Sequence, residues 1–123
     1  ISKTVALANH QLGERVATAE KAGVEAHYFI GYNSEYENIL QHTDDYQVHL
    51  IVMGSHGAKG VKEFFIGSNA QKTVRYSRVP VLIIKEQMEK LRVADILFVS
   101  NFEDEMVRPF EQVLDFAELI DAQ

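Results

Sequence analysis

The chain has 123 residues, 46% of them hydrophobic and 24% charged, with a formal net charge of −6 and no cysteine. This length supports one small domain with a real core. The missing cysteines exclude disulfides, thiolate catalysis and Cys-type zinc sites, and the acidic balance, with no basic cluster, sets nucleic acid and anionic membranes aside as main partners.

The first twenty-odd residues carry a helical pattern. Val5, Ala8, Leu12, Val16 and Ala19 recur at helical spacing, which predicts a helix over 3–22 ended by Gly23. Val24 to Gly31 reads as a strand. A second helix is predicted over about 35–46, with Ser34 and Glu37 at capping-box spacing and Tyr36, Ile39, Leu40 and Thr43 on one face. Val48 to Met53 is a short, mostly apolar run closed by Gly54, the pattern of a strand buried on both faces of a parallel sheet.

A glycine-rich loop follows, and Ser68 opens a third helix ending near Arg78. Val79-Pro80 breaks it, because a residue before proline is pushed out of helical geometry. Val81 to Lys85 is the next strand, and the polar residues 86–93 form a linker. Asp95 to Asn101 is predicted as a further strand. Residues 104–121 are predicted as a final helix with Met106, Val107, Phe110, Val113, Leu114, Ala117 and Ile120 on its apolar stripe, and Pro109 early in it or kinking it. Strands alternating with helices predict an α/β fold, an open and mostly parallel sheet flanked by helices. The apolar runs, such as Leu50 to Met53, are far too short to span a membrane.

The chemistry concentrates between Gly54 and Ser68. In an open parallel sheet, ligands bind beyond the C-terminal ends of the strands, where Gly54 falls. Glycines at 54 and 57 permit a close backbone approach to a ligand. Gly67 precedes a helix whose first N–H groups lack internal partners and favour an anion such as phosphate. Ser68 also reads as a plain N-cap, with Gln71 completing a capping box. The stretch is neither a Walker A loop nor a dinucleotide fingerprint.

Gly54-x2-Gly57-x9-Gly67-Ser68 resembles the ATP-binding signature of the universal stress proteins, Gly-x2-Gly-x9-Gly-Ser/Thr. Both flanks, Leu50-Ile-Val-Met-Gly-Ser and Val79-Pro-Val-Leu-Ile-Ile, match as well, and the resemblance covers about residues 1–85. It implies a universal-stress-protein-like fold, of the adenine nucleotide α-hydrolase kind. It also implies that Gly54, Gly57, Gly67 and Ser68 contact phosphates and ribose while Met53 and Asn69 line the pocket. ATP, with or without Mg, is the implied ligand, and a regulatory stress-response role in the cytoplasm the implied function. At most slow hydrolysis is expected, since no residue is placed as a clear base. The alternative is a nucleotide-independent dimerisation and protein-interaction module of the same fold. The resemblance also implies that the strand at 81–85 lies at the sheet edge and pairs with a partner's copy, in a homodimer or a tandem pseudo-dimer; the other reading is a strand buried by its own helices.

Family domains begin with a strand ending in Asp, then a helix and a second strand. Here nothing precedes the helix at 3–22, and the chain starts at Ile1 rather than Met, which leaves room for an upstream piece. Ala94 to Phe102 resembles that first strand, with Asn101 in place of Asp. The expected organisation is therefore residues 1–85 as the end of one domain, 86–93 as linker, and 94–123 as the start of a second. The other arrangement places 95–121 in the position of the missing first strand and helix, leaving a gap beside 24–31 for another chain or unseen residues to fill. Asn101 itself reads equally as a site residue or a turn residue.

The remaining polar candidates have simpler readings. His56, Lys59 and Lys62 sit in the loop, where the lysines could reach a polyphosphate or lie in solvent. His10, His27, His42 and His49 lack metal-site spacing, and no metal site is expected. Glu103, Asp104 and Glu105 fit the start of a helix through its dipole.

Overall fold

The computed structural model describes residues 2–31, 36–55, 66–85 and 90–122. Its order is α1 (Lys3–Lys21), α2 (Tyr36–Asp45), β1 (Ile51–Gly54), α3 (Ser68–Tyr76), β2 (Val81–Ile84), a 3-10 turn (Asp104–Met106) and α4 (Val107–Leu119).

Helix α1 begins because Ser2 caps it, its side chain accepting the Val5 N–H at 3.3 Å. The expected stripe of Val5, Ala8, Leu12, Val16 and Ala19 is the half-buried face. At its end Gly23 takes φ +79, and the N–H groups of Gly23 and Val24 return to the carbonyls of Glu20 and Ala19. That closure needs a left-handed residue after the helix, which glycine supplies without a Cβ penalty. Helices α2 and α4 end in the same way without glycine. Gln47 and Asp121 occupy the left-handed position at φ 49 and 55, and Val48 and Ala122 donate back to Thr43 and Ala117.

β1 and β2 are parallel neighbours, in register from Ile51 opposite Val81 to Gly54 opposite Ile84. The N–H of Ile51 extends the ladder to the Pro80 carbonyl and that of Ser55 to the Ile84 carbonyl, each at 3.0 Å. Parallel strands need a crossover element between them, and α3 is that element. It stops at Tyr76, two residues before the expected Arg78. Ser77 already has extended backbone (ψ 142), and its Oγ both donates to the Val79 carbonyl and accepts the Val79 N–H.

Helices α2 and α3 pack on each other, and α3 also packs on β2. Ile51 and Ala70 are the buried apolar residues of the core, and Thr43, Ser55 and Thr73 are buried as well. The two threonines spend their hydroxyls on their own helices, Thr43 on the Ile39 carbonyl and Thr73 on the Asn69 carbonyl, both at 2.8 Å. Buried hydroxyls thereby find partners without calling on the neighbouring helix.

Two expected strands form no ladder. Residues 24–31 lie against the helices through side chains instead: Tyr28 donates to Asn9 Oδ1 at 3.1 Å, and the Phe29 ring stacks on His42 at 4.8 Å. Residues 95–101 also lack a strand partner, although they keep the exposure pattern of one. Ile96, Phe98 and Ser100 are half-buried, Phe98 against Phe110 of α4 at 5.2 Å, while Leu97 and Val99 on the other face are 88% and 77% exposed. The physical reason is common to both segments. A strand is completed by a neighbour, and among the described residues neither has one alongside.

Candidate functional site

The site is assembled at the C-terminal end of β1. Met53 and Gly54 are the last two residues of the strand, opposite Ile83 and Ile84. The chain leaves the sheet through Ser55, which is 2% exposed, and re-enters the described structure at Ile66. A short hydrogen bond closes the excursion, the Gly67 N–H donating to the Ser55 carbonyl at 2.7 Å. Ser55 thus ties the end of β1 to β2 through its N–H and to the start of α3 through its carbonyl. The expected site residues Met53, Gly54, Gly67, Ser68 and Asn69 are brought to one end of the β1–α3–β2 unit. Gly57, with His56, Lys59 and Lys62, lies outside the described residues.

The cap of α3 differs from the expectation. Gly67, not Ser68, is the N-cap, and no side chain caps the helix. Ser68 is the first helical residue. Gln71 makes the first turn by donating its backbone N–H to the Gly67 carbonyl at 3.0 Å, and its side chain donates to the Ile66 carbonyl at 3.0 Å. The expected Ser68–Gln71 capping box is therefore absent: the N-cap falls one residue earlier, on a glycine with no side chain to close it.

Two consequences bear on ligand chemistry. The Gly67 N–H is already engaged inside the protein, so the donors that helix geometry leaves without an acceptor inside α3 include those of Ser68 and Ala70. Gly67 itself has φ −55 and ψ 150, a conformation open to every residue. Its backbone angles do not demand glycine. A Ser, Thr or Asp cap would stabilise the helix more than glycine does.

Elsewhere the arrangement is less chemical. Asn101 Oδ1 accepts the Glu103 N–H at 3.2 Å, and the Phe102 N–H donates to Ser100 Oγ at 2.9 Å, so Asn101 acts as a turn residue ahead of α4. An open concavity lined by Val16, Glu20, Glu25, Tyr28, Phe29 and Tyr46 contains none of the glycine-site residues. Among the described residues no group of three or more His, Asp or Glu is placed to hold a metal ion. None of the described helices is long and apolar enough to cross a membrane.

A parallel β-α-β unit with an uncapped, glycine-led helix at the strand end places the chain among the α/β proteins. Comparison with known proteins narrows the class. The profile of the universal stress protein family matches residues 2–85, and the chain belongs to that family. It is 37% identical over 67 residues to universal stress protein YxiE of Bacillus subtilis, covering 54% of this chain and 45% of that protein. It is 32% identical over 68 residues to universal stress protein MJ0577 of Methanocaldococcus jannaschii, covering 55% of this chain and 42% of the relative. With universal stress protein Slr1230 of Synechocystis it shares 32% identity over 82 residues, covering 65% of this chain and 27% of that protein. The aligned stretch spans less than half of each of these relatives. No solved structure gave a significant match to the chain.

Proposed function

We propose that this chain is a nucleotide-binding, regulatory part of a stress-response protein, and that ATP is held by the turn from Gly54 to Ser68. The observation that carries the reading is Gly67: a glycine at the start of α3, in a conformation any residue could adopt, at the C-terminal end of parallel strands. The backbone angles there would accept a Cβ, and close approach of a ligand is the reason proposed for its absence. Phosphate is the chemistry that suits such a place. The N–H groups of the first helical turn and the helix dipole both favour an anion, and each hydrogen bond to a charged group contributes about 1.5–3 kcal/mol. Gly54, Gly57, Gly67 and Ser68 would hold phosphates and ribose, with Met53 and Asn69 lining the pocket and Mg accompanying the phosphates. The role is regulatory and cytoplasmic, with slow hydrolysis at most.

The chain is read as the end of one domain (1–85), a linker (86–93) and the start of a second (94–123). Two observations support this division. The family match stops at residue 85, and 95–101 keeps a strand's alternation, with one face on α4 and the other exposed. The edge of β2 would pair with a second copy or a tandem neighbour, since a half-buried apolar edge needs cover.

Gly67→Val tests the site. A branched side chain would block phosphate approach, and calorimetric titration should find ATP binding abolished while dimerisation through β2 persists. Unchanged ATP affinity in this variant would sink the assignment.

A further inference from the structure

Charge is unevenly distributed along the chain. Residues 66–85 carry four basic side chains, Lys72, Arg75, Arg78 and Lys85, and no acidic one. Residues 90–122 carry eight acidic side chains against three basic. The basic stretch includes α3, and there it meets aromatic rings. Tyr36 of α2 and Tyr76 of α3 stack with centroids 5.5 Å apart and planes 26° apart. Lys72 Nζ lies 5.2 Å from the Tyr36 ring centre and Arg75 Cζ 5.6 Å from that of Tyr76. Both separations are within the range of cation–ring attraction. Lys72, Arg75 and Tyr76 are all exposed. The ion pairs found among the described residues, His10–Glu14 and His27–Glu25, involve neither cation.

The complement to this face lies on the same chain. Glu103, Asp104 and Glu105 are consecutive and exposed, and they too are absent from those ion pairs. Immediately before them Phe102 is 94% exposed, at φ 62. Its N–H is tied to Ser100 Oγ and that of Glu103 to Asn101 Oδ1, so the turn holds the aromatic ring and the acids out together. An aromatic anchor beside three carboxylates is the chemical counterpart of two stacked tyrosines flanked by Lys and Arg. Aromatic residues and Arg are the side chains enriched at the centres of protein interfaces.

We infer that residues 102–105 of one copy dock on the Tyr36–Lys72–Arg75–Tyr76 face of a second copy of this chain. Phe102 packs against the tyrosine rings and the carboxylates pair with Lys72 and Arg75. A reciprocal exchange about a two-fold axis gives two equal contacts. The contact involves neither the edge of β2 nor the glycine turn, and does not depend on nucleotide binding.

Carbodiimide cross-linking of a mixture of 14N- and 15N-labelled chains tests it. The reagent joins a lysine amine directly to a carboxylate in contact with it. The expected product links Lys72 to Glu103, Asp104 or Glu105 in peptide pairs of mixed isotope. Its yield should fall several-fold in about 0.5 M sodium chloride, where charges are screened within about 5 Å. Arg75→Glu keeps the Lys72 reporter and should lower the yield likewise, and combining it with Asp104→Arg should restore it. All these side chains are exposed, and circular dichroism of each variant checks that the fold is kept. Absence of the link, a link only within one isotope, or a yield indifferent to Arg75→Glu would overturn the proposal. A dimer seen by sedimentation without this link would assign self-association to another surface.

Discussion

Replacing Gly67 by alanine separates binding from folding more sharply than any other single change. At φ −55 and ψ 150 the backbone accepts alanine without strain, and the Gly67 N–H can keep its bond to the Ser55 carbonyl. Two stability effects then oppose each other. Alanine restricts the unfolded chain, a gain of about 0.4–1 kcal/mol. As an N-cap it is inferior to glycine by roughly 0.5 kcal/mol, judged from the different costs of replacing a good cap by each. The net is within about 0.5 kcal/mol of zero, so the thermal midpoint should move by no more than about 3 °C for a domain of this size. Phosphate approach is different, because a methyl group there stands between ligand and backbone. Losing one hydrogen bond to a charged oxygen costs about 1.5–3 kcal/mol, or roughly 10- to 150-fold in affinity. Thermal unfolding followed by circular dichroism and calorimetric titration with ATP measure the two quantities on one preparation. A midpoint lowered by many degrees would refute the claim that the backbone does not need glycine. An unchanged ATP affinity would refute the claim that the ligand does.

Substitutions at three further positions test the fold. Ala70 is 3% exposed on the buried face of α3, so Ala70→Leu should overpack the core and cost about 1–3 kcal/mol by urea denaturation. Gln47 holds a left-handed φ of 49 at the end of α2, and Gln47→Gly should raise stability by up to about 1 kcal/mol, since glycine takes that conformation freely. A loss of stability would contradict the helix closure described for α2. Asn101→Ala should speed amide exchange at Glu103, whose N–H its side chain accepts, whereas Asn101→Asp keeps the acceptor and should leave exchange nearly unchanged. Equal exchange in both variants would remove the turn role.

Local features of the fold were legible in the sequence to the extent that local interactions determine them. The apolar spacing of α1 selected Val5, Ala8, Leu12, Val16 and Ala19, all on its half-buried face, and that of α2 selected Tyr36, Ile39, Leu40 and Thr43, all half-buried or buried. Strands were less legible because a ladder is made with another segment. Residues 95–101 were expected as a strand; they keep a strand's alternating exposure but form no ladder, since pattern carries no information about a neighbour and none of the described residues lies alongside as one. On α4 the expected stripe was only partly realised. Met106, Val113, Ala117 and Ile120 are half-buried, while Val107, Phe110 and Leu114 are exposed, because among the described residues little besides Phe98 and the preceding 3-10 turn packs against that helix. At the site, the glycine spacing pointed to the end of β1. The cap was misplaced by one residue, since the bond from Gly67 to Ser55 joins positions twelve apart and leaves no mark on the local sequence. The cationic aromatic face of Tyr36 and Tyr76 was missed for a similar reason, its residues being forty positions apart on two helices.

The most direct test of the nucleotide reading is to denature the purified protein, chromatograph the supernatant for nucleotides, and titrate the emptied chain with ATP and AMP. The account predicts co-purified ATP or saturable ATP binding, lost in Gly67→Val. A chain that carries no nucleotide and binds none would contradict it.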